Sequence, residues 1–305
     1  MSLAYVILAH RQPLQVARLF GALHHRDDLF VLHFDRRAPA SLHALGRQLA
    51  ARHANVRVLP ARAIIWGGPE MIDTQIEAMA LALQVDPQWS HLLNLTGQDF
   101  PLKTRAEVVA RLAQDPGRSF VSWFDPLQRP RFWKNARERI ARYHPAWPWL
   151  HRLLAVPGLG RRVRALFGWT NQRPWIPGYR RPFPGFFRYF GGANHVVLAR
   201  AAVRHLVHDP AARRIRRWLR GAAHSDEIVF QSVLLNSPLA PSLANESLRE
   251  IDFPLHSAHP RTFTAADLPR LLASPALVAR KFDLAADSAV FDSLEARVHS
   301  LAAFP

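Results

Sequence analysis

The chain has 305 residues, 49% apolar and 21% charged, which suits one large α/β domain with a sizeable core and excludes a disordered or collagen-like chain. It has no cysteine, which excludes disulfides and thiolate metal sites and fits a reducing compartment. The net charge is +17, a balance that usually points to nucleic acid or an anionic membrane, yet Lys103, Lys134 and Lys281 are the only lysines, and such an arginine bias is explained equally by codon composition.

The first third alternates β and α. Ala4–Leu8 reads as a buried strand, Leu14–Leu23 as a helix, and Leu29–Phe34 as a strand running into Asp35. Ala40–Ala51 is a second helix and Val56–Leu59 a third strand. Pro69 suits a helix start, with Met71–Leu83 continuing it. His91–Leu95 is a fourth strand. Thr104–Ala113 is a helix opened by a threonine cap with Glu107 three residues on, and Ser119–Trp123 is a fifth strand. This alternation predicts an α/β fold with a mostly parallel sheet flanked by helices, its ligands at the C-terminal strand ends.

The middle differs. From Arg129 to Arg181 there are thirteen Arg or Lys against one acid, Glu138, and six of the nine tryptophans lie between Trp123 and Trp175. This reads as a basic aromatic insertion. After it, Phe187–Leu198 reads as two short strands, Ala201–His208 and Asp226–Asn236 as helices, Leu248–Phe253 as a strand, and Ala265–Leu272 and Ser288–Ala302 as helices. The expected organisation is a first half over 1–125, the insertion over 126–186, and a second half over 187–305 that completes the same domain.

No stretch of about 18 apolar residues predicts a spanning helix. The opening MSLAYVILAH lacks the basic flank and cleavage site of a signal peptide. A cytoplasmic location is therefore expected.

Several segments combine polar and flexible residues. In Asn94-Leu95-Thr96-Gly97-Gln98-Asp99, a strand runs into a polar turn whose Asp99 either meets a ligand or simply makes the turn. The pairs Gly67-Gly68, after Trp66, and Gly191-Gly192, before Asn194, allow close backbone approach or an ordinary turn. In Ser225-Asp226-Glu227 the serine suits a helix cap, and Asp226 suits the first turn as a structural carboxylate. Glu227 then faces elsewhere and suits a general base. Arg280-Lys281, with Arg261 upstream, offers cations that converge on a diphosphate or lie solvated. The glycine-rich phosphate loop, GxGxxG, HExxH, zinc spacing and GxSxG are all absent. Nucleotide hydrolysis of the phosphate-loop type, hydride transfer and serine hydrolysis recede accordingly.

Together these segments resemble the core-2/I-branching β-1,6-N-acetylglucosaminyltransferases and, more closely, the peptide O-xylosyltransferases. The blocks are AYVILAH (4–10), VLHFDRR (31–37), NVRVLPARAIIWGG (55–68), HLLNLTGQDFPLKT (91–104), FGGANHVVLAR (190–200), SDEIVFQSVLLNSP (225–238) and ARKFD (279–283). They span nearly the whole chain in family order. The resemblance implies a GT-A-like fold and inverting sugar transfer from a UDP-sugar, without a metal or other cofactor. His33-Phe34-Asp35 agrees in not being Asp-x-Asp. It implies Asp35 at the uridine with His10 beside the base, and Arg280, Lys281 and Arg261 at the diphosphate. It implies Glu227 as the base, and Trp66, Gly67, Asp99, Gly192 and Asn194 around donor or acceptor. Asn194 stands where xylosyltransferases carry Asp, which leaves the donor open between GlcNAc and xylose.

Without thiols or an anchor, the chain is similar to a bacterial relative acting on a glycan or lipid-linked acceptor. Its insertion suits peripheral contact with an anionic membrane. Nucleic acid is not expected as a partner. The competing class is nevertheless a nucleic-acid-binding protein that uses the Arg/Trp stretch.

Overall fold

Leu3–Ala9 (β1) is seven residues buried on both faces, as a central parallel strand requires. The computed structural model describes the chain except residues 66, 87, 129–132, 134–135, 146, 155, 171–172, 255–258 and 300–305, and only the backbone of 148, 151, 152, 170 and 173. After β1 come α1 (Pro13–Leu23), β2 (Leu29–Phe34), α2 (Ala40–Arg52), β3 (Val56–Val58) and α3 (Glu70–Val85). Then follow β4 (His91–Thr96), β5 (Asp99–Pro101), α4 (Arg105–Ala113) and β6 (Ser119–Val121). The middle holds α5 (Ala136–Ala141), α6 (Pro148–Leu154), α7 (Leu159–Ala165), β7 (Gly168–Thr170) and β8 (Arg173–Trp175). The last part holds β9 (Val196–Ala199), α8 (Arg200–His208), α9 (Pro210–Leu219), α10 (Val229–Leu235), β10 (Leu243–Ala244), β11 (Arg249–Ile251), α11 (Leu268–Ala273), β12 (Val278–Arg280) and α12 (Ala289–His299).

The main sheet runs β10-β6-β9-β4-β1-β2-β3. β4, β1, β2 and β3 are mutually parallel, whereas β9 runs antiparallel to β4 and β6. The sheet therefore joins strands from both ends of the chain across the insertion. Alternation along β1 sends Tyr5 and Ile7 into one core with Phe20, Phe30 and Phe291, and Val6 and Leu8 into the other with Met79, Leu206 and Phe230. A small sheet, β11-β12-β5, lies beside the strand ends. Its antiparallel pair β12/β5 sets Arg280 opposite Asp99.

The expected alternation of the first third is present. Thr104 and Glu107 form the full capping box at the start of α4. Differences cluster later. Phe187–Leu198 gives one strand, Val196–Ala199, because side chains take the preceding backbone groups. Phe190 N–H donates to Ser232 Oγ (3.1 Å), and Arg188 N–H donates to Asn236 Oδ1 (2.8 Å). The expected helix from Asp226 divides into a 3₁₀ turn, Ser225–Glu227, and α10, and Ser225 makes no cap bond. Asp99, expected in a polar turn, opens strand β5, and Ala279 and Arg280 of the ARKFD block end strand β12. Helix α9 was not anticipated, although Asp209 caps it through Ala211 and Ala212 N–H, with Pro210 at its first position.

Candidate active site

A cavity of about 510 Å³ opens beyond the C-terminal ends of β1, β2 and β4, where open parallel sheets bind ligands. Leu8, His10, Asp35, Thr96, Asn194, Asp226 and Arg280 are among its lining residues.

Asp35 follows β2 directly. Its Oδ1 accepts from Arg37 N–H (2.8 Å) and Arg37 Nε (3.0 Å), and its Oδ2 accepts from Arg37 Nη2 (3.0 Å) and Ile64 N–H (2.8 Å). Burial opposes ionisation, but the bonds from Arg37 and Ile64 outweigh it and bring the pKa down to about 2. Neighbouring His33 accepts Arg62 N–H at Nε2 (3.1 Å), and burial holds its pKa near 4. It is neutral at neutral pH. Burial, then Arg11, also lowers the pKa of His10.

Arg280 is held from behind. Its Nη1 donates to Thr96 Oγ1 and lies 3.5 Å from Asp99 Oδ1. Asp99 has no solvent exposure, accepts Thr96 N–H at 2.5 Å, and lies 4.0 Å from the buried Arg249. Arg249 in turn donates to the Asn94 carbonyl (2.8 Å). Two guanidiniums share one carboxylate here, so the cluster keeps an excess positive charge beside the cavity.

The 3₁₀ turn supplies carboxylates. Asp226 Oδ2 accepts from Asn194 Nδ2 (3.1 Å), while Oδ1 is buried without a partner among the described residues. Burial, then the adjacent Glu227 charge, pushes the Asp226 pKa up to about 7. Glu227 Oε2 meets Arg139 Nη1 of α5 at 2.6 Å. Arg139 itself stacks 3.9 Å over Trp133, so the insertion reaches the site through this arginine. Glycines shape the turn. Gly192 N–H donates to the Glu227 carbonyl (2.9 Å), and the Gly67 carbonyl accepts His224 N–H (3.0 Å). A Cβ on Gly192 would lie 2.0 Å from the Ser122 carbonyl oxygen. Gly67 has φ of 69°, which favours glycine.

A model of the Core-2/I-Branching enzyme family matches residues 3–272.

The chain belongs to the Core-2/I-Branching enzyme family.

It is 27% identical to xylosyltransferase 2 of Canis lupus familiaris, over 96% of this chain and 33% of that protein. It is 26% identical to human xylosyltransferase 2 over the same shares, and 26% identical to canine xylosyltransferase 1, over 96% and 30%. It thus spans about a third of the length of these relatives. Among solved structures it overlaps the galactosyltransferase LgtC with donor and acceptor sugar analogues at TM-score 0.40 and 12% identity, covering 99% of this chain and 97% of that one. It overlaps apo mouse xyloside xylosyltransferase 1 at TM-score 0.37 and 12% identity, covering 91% and 97%.

Within this family member, His10, Asp35, Asn194 and Arg280 come together in the cavity wall. Asp99 is buried beside Arg280 and is not among the lining residues of the cavity. Arg261 lies outside the lining, its guanidinium held by Asp252 (3.0 Å) and Asp267 (2.6 Å). Those two carboxylates already balance its charge. Lys281 and Glu227 adjoin lining residues Arg280 and Asp226 without lining the cavity themselves. Gly67 and Gly192 buttress the carboxylate turn, so their close approach is to protein. Trp66 lies outside the described residues.

Arg37, Arg139 and Arg249 carry site electrostatics that sequence reasoning missed, and nothing in their local sequence separates them from other arginines. Asp226 was read as a helix-start carboxylate. The broken helix places it in the cavity instead.

Proposed function

We propose that this chain is an inverting glycosyltransferase that moves GlcNAc or xylose from a UDP-sugar to a hydroxyl of a glycan or lipid-linked acceptor. The observation that carries this reading is the shared cavity, which holds the ionised Asp35, the buttressed cation Arg280 and the Asn194–Asp226 pair at the ends of parallel strands. Asp35 and His10 contact the uridine. Arg280, with Lys281 beside it in sequence, holds the diphosphate. Glu227 takes the proton of the acceptor hydroxyl as its oxygen bonds to the anomeric carbon, the bond to UDP breaks, and configuration inverts. Charge growing on departing UDP meets fixed cations, which do the work of a metal ion. Among the described residues no three His, Asp or Glu are grouped to hold a metal, and insensitivity of UDP binding to EDTA is the test of that part. Peripheral contact with anionic lipid belongs to the same reading, because Trp149, Leu159 and Leu166 are exposed in an insertion that also carries Arg161 and Arg162.

A second reading gives the proton to Asp226. It is favoured by the cavity-lining position of Asp226 and by a pKa near the value suited to a base at neutral pH. The experiment is UDP release over a panel of UDP-sugars with wild type, Glu227→Gln and Asp226→Asn. A drop of about 10²–10⁴-fold is expected for Glu227→Gln, the usual contribution of a general base. Wild-type turnover in Glu227→Gln with collapse in Asp226→Asn transfers the role to Asp226. Release from no UDP-sugar overturns the proposal.

A further inference from the structure

Helix α9 carries Arg213, Arg216 and Arg217, and Arg220 caps its C-terminus in helical conformation, at i, i+3, i+4 and i+7, so all four lie on one stripe. The opposite side of the helix is accounted for by packing, with Ala212, Ile215 and Leu219 in the core. Arg214 falls off the stripe and sits 4.2 Å over Phe186. Like charges at these spacings repel and destabilise a helix. A chain selected only for folding would intersperse acids along such a stripe.

The stripe forms one wall of a second cavity, about 260 Å³, closed by Pro69, Ile72 and Asp73 at the start of α3 and by Ser225 and Val229. Among the described lining residues Asp73 is the one carboxylate, and it pairs with Arg220. Among the described residues no carboxylate lies within 4 Å of Arg213, Arg216 or Arg217. Two polar groups here are unsatisfied. Among the described residues Arg216 Nε is buried without a partner, and the side chain reaches the Val207 carbonyl at 3.5 Å. Ser225 is 1% exposed, and its Oγ has no partner among the described residues. Burial, then the charge of Arg213, makes the Arg216 guanidinium easier to deprotonate than an ordinary one. Asp73 opposes both effects, and Arg213 also couples to Asp209 at the start of the helix.

Guanidinium groups at close quarters, with a hydroxyl donor and room for a small group, are the components of a phosphate site. We propose that this cavity is a second anion site, which takes a phosphate-class oxyanion either free or borne by a lipid headgroup. It lies behind the carboxylate turn, since Ser225 faces this cavity while Asp226, one residue on, faces the main one. An oxyanion here neutralises the stripe, accepts from Ser225 Oγ–H and steadies the turn from its far side.

The test is calorimetric titration of the full chain with inorganic phosphate at low ionic strength, where surface screening is small. The proteins are wild type, the double variant Arg213→Gln/Arg217→Gln, the single variant Arg217→Glu and Arg280→Ala. Arg213 and Arg217 are exposed and their mutual repulsion is unfavourable, so their variants are expected to melt no lower than wild type. The expected result is a phosphate-binding component that falls at least tenfold in the double variant, falls in Arg217→Glu, and persists in Arg280→Ala. Absence of binding at millimolar phosphate overturns the proposal, as does loss that follows Arg280 instead of the stripe. Because Arg280 belongs to the main cavity, failure there and failure here are distinguishable. A parallel arm uses phosphatidylglycerol and phosphatidylcholine vesicles. With the phosphate result in hand, loss of phosphatidylglycerol binding in the double variant identifies a lipid headgroup, and unchanged vesicle binding identifies a soluble phosphate.

Discussion

Asp35 already accepts four hydrogen bonds, two at each oxygen, which uses the whole acceptor capacity of a carboxylate. A nucleoside donor at Asp35 must therefore displace one of them. Arg37 is the partner able to leave, because its side chain is 64% exposed whereas Ile64 is fixed by its backbone. Asp226 stands at the other extreme, with one oxygen unpartnered and its pKa raised to about 7. A carboxyl group that holds its proton more tightly when folded than when unfolded adds stability at low pH. That contribution is lost as pH rises from the unfolded value near 4 through about 7. Asp226→Asn removes this penalty. It is expected to raise the melting temperature relative to wild type at pH 8 and to leave it nearly unchanged at pH 4, with about 2–4 °C gained per kcal/mol relieved. Thermal melts at the two pH values check this. An equal shift at both means that the group does not titrate in this window.

At the scale of elements, the site depends on how a few short segments are terminated. Strand ends β1, β2 and β4 were legible because long apolar runs bounded by polar residues specify buried parallel strands with little help from elsewhere. The carboxylate turn was not legible. Ser225-Asp226-Glu227 looks like a capped helix start, but Gly192 and Gly67 draw the turn backbone away from helical geometry through contacts remote in sequence. Strands β5 and β12 were equally hidden, since three residues each give no periodicity. The pairing of Asp99 with Arg280 exists only once the two strands meet. These contacts predict that Gly192→Ala is costly, because the new methyl would lie 2.0 Å from the Ser122 carbonyl. A loss of about 1–3 kcal/mol is expected from overpacking, read as a lower denaturation midpoint with an unchanged slope. Wild-type stability would show that the turn has room to yield.

Across the whole molecule, strands from residues 3–121 and 196–244 share one sheet, and cores lie on both of its faces. The insertion sends Arg139 back to Glu227. The charge of the molecule thus resolves into distinct uses. Some arginines, such as Arg261 and Arg270, are tied to carboxylates of the same chain. Others, Arg280 among them, face a cavity. Composition alone, with its net charge of +17, does not separate these groups.

In the proposed function Arg280, held by Thr96 and Asp99, grips the diphosphate of a nucleotide in the cavity at the strand ends. Calorimetric titration with UDP, with and without EDTA, on wild type and Arg280→Ala tests it most directly. Binding is expected to be indifferent to EDTA and weakened by about 10–100-fold in Arg280→Ala, the equivalent of one charged hydrogen bond of about 1.5–3 kcal/mol. UDP affinity unchanged by Arg280→Ala, or no UDP binding by the wild type, would contradict it.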